Sequence, residues 1–357
     1  MISSKEVFLK KRFESLMRHI VSGEIIDVDE LSAVFRGLLD HRLGSANETS
    51  FGALLAALQV RGAKDDEIVA LFKVVQDYDR ISVPCNTSAD NLFGIVGSGK
   101  DEFKTFNIST CSAFVAAAMG VLVIKNGSRS DTSAFGTTDL MESLGYNLET
   151  SRNKHNASLD VANIAFCDAE SYFPRMTKEY VGKILFVNPL IYLLSIASGI
   201  EFKNIIFGIS FEETERICHL LLKIGIKKAL VVCGKTEEGL RFDEMSTAGI
   251  TKVSELRNGK VKTFYLNPID FGIKAANSKQ IAQPKTLESA KSLFVSVLKG
   301  EATPEQIDIV ALNAGAIYYL NSSDSDIDFK TAFCKARATI NSGAPFDNFK
   351  KFLQAVN

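Results

Sequence analysis

The sequence predicts an α/β protein carrying a small all-helical domain, and three observations make that prediction. From the start to about residue 82 the apolar residues recur only at helical spacing. Beyond Pro84 a short apolar run, a glycine-rich loop, an Ala-rich helix and a second apolar run follow in βαβ order. The same strand, helix, strand order returns across residues 204–209, 211–224 and 229–233.

Taken in order, Ser3-Ser4-Lys5-Glu6 reads as a capping box, after which Leu9, Phe13, Leu16, Met17 and Ile20 share one helical face. Residues 31–43 and 49–61 repeat the pattern, and the second carries the small-residue run Phe51 to Leu58, apolar nearly all round, as expected of a helix buried between subunits. Residues 65–78 give a fourth helix after the Gly62 stop. The strand 93–96, the helix 109–119 and the strand 121–124 then place the intervening loop at the carboxyl end of a parallel strand, where ligands bind. A helix over 138–144 precedes a polar loop or hinge over 149–160. Residues 164–170 are weakly strand-like, 177–199 mostly helical, and 262–266 a further strand. Helices over 286–298, 304–320 and 328–342 close the chain. The expected division is a helical domain over 1–82 with a returning helical segment around 170–200, and an α/β domain over 83–357, with hinges near 80–90 and 150–200.

The 357 residues carry a formal net charge of −1, with 46% hydrophobic and 23% charged residues. That balance argues against bulk attraction to nucleic acid or to an anionic membrane. The N-terminal stretch has charges throughout its apolar pattern, and the run 184–196, broken by Asn188 and Pro189, falls short of the roughly 20 residues a spanning helix needs. Six cysteines stand singly, without a C-x-x-C pair, and read as buried free thiols of a cytoplasmic protein.

Chemistry concentrates in three places. Gly97-Ser98-Gly99-Lys100-Asp101, continued by Thr105-Phe106-Asn107-Ile108-Ser109-Thr110, combines glycines that let main-chain N–H groups approach an anion with side-chain donors. Lys125-Asn126-Gly127-Ser128-Arg129-Ser130 puts two cations and a glycine at the end of the next strand, where a second phosphate would be held. Asp243-Glu244, on a loop just after a buried strand, offers hard oxygen ligands of the kind Mg²⁺ takes. Read alone, the first loop is a turn with Asn107 or Ser109 as helix cap, Lys125 is a snorkelling end charge, and the acidic pair is a solvated dipeptide. None of the loops is a Walker sequence, and none of the four histidines lies in them, so a nucleophile and base pair is not in view.

These residues resemble the anthranilate phosphoribosyltransferase family, of the nucleoside phosphorylase/phosphoribosyltransferase fold. The first loop is similar to the family's GTGGD and TFNIST motif at the same spacing, and Lys125 to Arg129 sit where the family has KHGNR. Gly136, Asp139, Leu140, Glu142, Leu144 and Gly145 match its following helix, Asp243-Glu244-Met245-Ser246 its metal-binding motif, and Leu312-Asn313-Ala314-Gly315-Ala316 its LNAGA. The similarity runs from about residue 5 to 355.

The resemblance implies a cytoplasmic homodimer formed through the helical domains. It further implies an enzyme that binds phosphoribosyl diphosphate with Mg²⁺ between its domains and moves the phosphoribosyl group to anthranilate, a step of tryptophan biosynthesis. Gly97, Ser98, Gly99, Asp101, Thr105, Asn107, Ser109, Thr110 and Lys125 would hold the donor. Lys125 and Asp101 would be catalytic, and Ser109, Asp243 and Glu244 would ligate magnesium.

Departures from the family gather on the acceptor side. Its His and Asn in KHGNR are Asn126 and Ser128, and the fourth residue of GTGGD is Lys100. Its HPAM is Phe173-Pro174-Arg175-Met176, followed by a shorter segment in which the Arg that holds the anthranilate carboxylate has no clear counterpart. Either Arg175 or Lys100 supplies the lost cation, or the acceptor is another amine, since an Arg and carboxylate pair is geometric as well as electrostatic. A third reading is a non-catalytic binding protein on the same fold.

Overall fold

The computed structural model describes residues 4–129, 135–180, 183–322 and 327–357, so Ser3 of the expected capping box and Ser130 of the second loop lie outside the described residues. The chain divides into two compact units, one comprising Met1–Ser82 with Ala169–Gly199 and the other Val83–Asp168 with Ile200–Asn357.

The first unit is helical, built on Ser4–Val21, Val28–Leu39, Asn47–Arg61 and Asp65–Val74. Asp27, whose carboxylate accepts from the backbone N–H of Asp29 at 2.8 Å, starts the second helix. Its inward face, Leu31, Val34, Phe35 and Leu38, is fully buried, and the Phe35 ring stacks on Phe51 with centroids 5.6 Å apart. The fourth helix ends in a wide π-type turn, Val75–Asp79. The segment expected to be helical over 177–199 is not one helix: Pro174–Tyr180 is helical, and short 3₁₀ turns at Pro189–Tyr192 and Leu194–Ile196 follow. Pro189 cannot donate to a preceding turn, and Asn188 instead caps the 3₁₀ turn through Leu190 N–H at 3.1 Å.

The second unit holds one sheet of eight strands, β1 Phe93–Gly97, β2 Val123–Gly127, β3 Ile164–Asp168, β4 Asn204–Gly208, β5 Lys228–Lys235, β6 Arg241–Phe242, β7 Thr251–Arg257 and β8 Lys260–Leu266. Their order is β3-β2-β1-β4-β5-β7-β8, with β6 paired to β5. Strands β1 to β5 pair in parallel, and β6, β7 and β8 join antiparallel. The parallel strands read as unbroken apolar runs because both of their faces are covered.

β7 escapes the sequence reading although its signal is present. Asn258-Gly259 stands between two alternating runs, and both residues adopt the left-handed conformation that a two-residue hairpin requires. Residues 149–160, expected to be a loop, instead carry helices Leu148–Ser151 and His155–Ala162.

A fourth closing helix, Ala344–Val356, also lies beyond the sequence expectation. Its Phe349 and Phe352 meet Phe114 edge-on at 5.0 and 5.4 Å, at the centre of the core. Burying one such ring contributes about 2–3 kcal/mol. Four of the six cysteines are buried, but Cys85 is only half-buried and Cys334 is exposed on helix Phe329–Asn341, which corrects the expectation of buried thiols throughout. Among the described residues no helix is long and apolar enough to cross a membrane.

Candidate functional site

Strand order places the site. From β1 the chain proceeds to β2 and β3 on one side, whereas β4 and β5 lie on the other, so the sheet changes its direction of growth between β1 and β4. At such a point the loops leaving the carboxyl ends diverge and open a crevice. Gly97 ends β1, Gly208 ends β4, and the two face each other in register.

Both glycines are small because Asp243 lies on them. A Cβ on Gly208 would stand 1.5 Å from the Asp243 carbonyl oxygen, and one on Gly97 would stand 2.3 Å from its Oδ2. Asp243 Oδ2 also accepts from Gly99 N–H at 2.9 Å, which ties the glycine-rich loop to the acidic pair. The adjoining backbone is held by Asn313, whose side chain accepts from Met245 N–H and donates to Met245 C=O, both at 2.9 Å. LNAGA thus acts here through its asparagine.

Gly99 and Lys100 are successive left-handed residues, φ +67° and +61°. Ser210 Oγ, which sequence reasoning missed, donates to the carbonyls of Gly99 and Lys100 at 3.1 and 3.3 Å and holds this turn. A lysine there costs roughly 1 kcal/mol where a glycine would sit without strain.

Three carboxyl groups and a lysine share the floor, Glu244 and Lys125 buried and Asp101 and Asp243 half-buried. Burial, and then the charge of Asp243, push the Asp101 carboxyl up to about 8. Its Oδ2 lies 3.6 Å from Lys104 Nζ, and its buried Oδ1 has no hydrogen-bond partner among the described residues. Burial, and then Asp243 and Asp101, push Glu244 well above the usual carboxylate range, against a hydrogen bond from Thr105 Oγ1 at 3.1 Å. Lys125 is buried, and desolvation lowers its ammonium to about 8 while Asp243 and Glu244 pull the other way. Its Nζ donates to the carbonyl of Asn126.

Carboxyl groups outnumber the nearby cations Lys104 and Lys125, and the raised Asp101 and Glu244 values mean that the fold alone does not keep all three ionised. Among the described residues no group of three or more His, Cys, Asp or Glu side chains is gathered as a ready-made metal cage. Mg²⁺ needs no such cage, because it keeps waters and takes one or two carboxylates together with substrate phosphate. The unsatisfied Asp101 oxygen, the mutual repulsion of the carboxylates and the hard oxygen donors fit that ion.

Asn107 stands at the N-cap of helix Ile108–Ala118 but accepts nothing from the helix N–H groups. The capping role is therefore not what this side chain does, and the helix N-terminus, with Ser109 on its first turn and the buried hydroxyl of Thr110, which has no hydrogen-bond partner among the described residues, presents donors suited to an anion. Cys111 beside it is fully buried, and burial pushes its thiol far up, which leaves it inert.

Lys125 lies within β2 and feels Asp243 and Glu244, whereas Arg129, beyond the strand, is engaged elsewhere. Arg129 bridges Asp139 at 2.7 Å and Glu142 at 2.8 Å on helix Thr137–Ser143. Asn126 is buried, whereas Ser128 is exposed and its carbonyl accepts from Thr138 N–H at 3.2 Å.

Arg175 belongs to the helical unit. Its guanidinium lies 3.7 Å from Asp79 and 3.8 Å from Asp40 and stacks over Tyr78 at 4.9 Å. Arg36 covers the same ring at 4.7 Å.

Residues 89–346 match the family model described as Glycosyl transferase family, a/b domain. An anthranilate phosphoribosyltransferase of Stenotrophomonas maltophilia (strain K279a) is 34% identical over 349 residues, covering 96% of this chain and 97% of that one. The chain belongs to the anthranilate phosphoribosyltransferase family.

A Clostridium kluyveri member is 30% identical over 345 residues, covering 96% and 98%. The crystal structure of the Thermus thermophilus anthranilate phosphoribosyltransferase superposes with a TM-score of 0.83 at 26% identity, covering 96% of this chain and 99% of the other. The Saccharomyces cerevisiae enzyme in complex with PRPP and Mg has the same fold, with a TM-score of 0.81 at 21% identity over 96% and 97%.

Proposed function

We propose that the chain is a Mg²⁺-dependent phosphoribosyltransferase that moves the 5-phosphoribosyl group from phosphoribosyl diphosphate to an amine nitrogen, with anthranilate the default acceptor, as in tryptophan biosynthesis. The observation that carries the reading is the crowding of the Asp101, Asp243 and Glu244 carboxyls, which the fold alone does not keep ionised, beside an uncapped helix N-terminus and Lys125, at the sheet's switch point. Two opposite electrostatic features side by side suit a substrate that arrives as a metal diphosphate.

In this reading Gly97, Ser98, Gly99, Asp101, Thr105, Asn107, Ser109 and Thr110 bind the donor, and Lys125 balances charge on the leaving diphosphate. Asp243 and Glu244, with Ser109, would hold Mg²⁺, and the chemistry a bound ion supplies there is neutralisation of that leaving charge. The bond from ribose C1 to the diphosphate breaks, positive charge develops on the ring, and the acceptor nitrogen attacks the opposite face and sheds a proton. No covalent nucleophile is required, so the protein contributes position and field.

A second reading, a different amine acceptor, is favoured by one observation: the Arg175 cation is already engaged by Asp79 and Asp40. Lys100, Asn126 and Ser128 would then line a changed acceptor side. We further propose a cytoplasmic homodimer joined through the helical unit, and light scattering after gel filtration tests whether the chain is a dimer.

Loss of anthranilate fluorescence with the donor and Mg²⁺ present is the expected outcome of the decisive assay. Calorimetric binding of donor and Mg²⁺ without turnover would keep the donor site and reject anthranilate. Binding of neither would overturn the enzymatic reading and favour a non-catalytic role.

A further inference from the structure

The donor loop is gripped on its far half by a hairpin that the reaction scheme does not use. β5 and β6 are joined by a tight turn in which Thr236 N–H donates to Leu240 C=O at 2.9 Å and Gly239 is left-handed. One flank of this hairpin holds the loop directly. Glu102 and Phe103 N–H donate to the Arg241 carbonyl at 3.0 and 3.3 Å, and Arg241 N–H returns a bond to Glu102 Oε2 at 2.9 Å.

The turn itself holds the loop through an intermediary. The Glu237 carboxylate accepts from Ser278 N–H at 3.0 and 3.1 Å and from Ser278 Oγ at 3.0 Å. Ser278 opens the short helical turn Ser278–Ile281, and the residues ending and following that turn lie along the donor loop. Phe106 N–H donates to Ile281 C=O at 3.2 Å, Thr105 and Ala282 form an antiparallel bridge, and Gln283 N–H donates to Lys104 C=O at 2.9 Å. Thr105 in turn hydrogen-bonds Glu244, which lies just beyond the exit of the same hairpin at Phe242.

One frame therefore fixes both ends of the Thr105 to Glu244 contact, and we propose that Glu237, acting through Ser278, is a positioning residue for the metal and diphosphate half of the site. The proposal rests on the donor reading above. Glu237 is exposed, so its three hydrogen bonds are made at the surface, where nothing in core packing demands a carboxylate. Burial raises its proton affinity, but the bonds from Ser278 outweigh that, and the group stays in its charged, accepting form.

The test uses the full chain with Glu237→Ala, Glu237→Gln, Ser278→Thr, and Glu238→Ala as a neighbouring control. Calorimetry with Mg²⁺ and phosphoribosyl diphosphate should show about a tenfold loss of affinity in Glu237→Ala, a smaller one in Glu237→Gln, and near-native affinity in Ser278→Thr and the control. Amide hydrogen exchange over 104–106 should speed up in Glu237→Ala without its ligands present, while the acceptor KM stays within about twofold of wild type. Unchanged affinity and unchanged exchange in Glu237→Ala would overturn the proposal, as would an equal rise in the acceptor KM, which marks general damage. Failure of the wild-type chain to bind the donor at all would overturn the donor reading itself.

Discussion

The carboxyl edge of the parallel sheet and the surroundings of Arg175 are both dense in charge, and they differ in whether the charge is answered from within. At the sheet edge Asp101, Asp243 and Glu244 crowd one another on a partly buried floor, so that the carboxyls of Asp101 and Glu244 are pushed up and the fold alone does not keep them ionised. In the helical unit Arg175 is paired with Asp79 and Asp40, and Asp79, with no side-chain exposure, also accepts from the N–H groups of Arg175 and Met176 at 3.0 and 2.6 Å. A region whose charges are left uncompensated by the fold is built for something that arrives from outside. A region whose charges close on themselves holds structure.

Four experiments bear on that contrast. The largest effect is expected at the sheet edge, where Asp243→Ala with Glu244→Ala should lower Mg²⁺-dependent diphosphate release by at least about a hundredfold. Activity that survives at ordinary Mg²⁺ would refute the metal assignment. Asp79→Ala should instead act on stability, costing about 3 kcal/mol in urea unfolding because two backbone donors and a guanidinium lose their partner. A drop in acceptor binding with stability intact would move Arg175 and its partners into the active site.

The third experiment concerns His155, buried near the edge strand β3, where burial lowers the imidazole to about 4 from an ordinary 6.5 while the charge of Asp168 works the other way. Its folded value lies below the unfolded one, so the unfolded chain binds the extra proton between them. The contribution of His155 to stability is full above the upper value and falls by about 2 kcal/mol from pH 7 to pH 5, whereas the raised Asp101 and Glu244 carboxyls, which take up protons in the folded state, act in the opposite direction. His155→Gln should remove that loss, so that urea titrations at the two pH values give a stability at pH 5 relative to pH 7 about 2 kcal/mol higher than in wild type. An unchanged slope would show that other groups set it.

The smallest effect is expected for Lys100→Gly. It relieves roughly 1 kcal/mol of left-handed strain and gives back about half of that in chain entropy, for a net gain of about 0.5 kcal/mol. A stability gain with weakened donor binding would mean that the lysine holds its strained position for the sake of the site.

How much of this is legible in the sequence depends on the distance over which the cause acts. Gly97 to Thr110, Lys125 and Asp243-Glu244 are readable because close anion approach and hard oxygen ligation need particular residue types in short runs. Ser210 and Ser278 are not, since a lone serine carries no signal until the chain that passes it is known. Arg129 shows the converse: beside Lys125 it looks like a second phosphate cation, yet Asp139 and Glu142, on the following helix, claim it. β7 is a different case, because the Asn-Gly signal of its hairpin with β8 is present in the sequence and points to the strand directly.

The chain's local chemistry was enough to settle the class of fold and to single out the loops at the strand ends as candidates for phosphate and metal, because backbone conformation and ligand preference act over a few residues. Long-range packing was needed to establish that Asp243 rests on Gly97 and Gly208, that Asn107 leaves its helix uncapped, and that Arg175 is already engaged. Those facts depend on which charges and surfaces meet across long stretches of chain, and burial sets their strength.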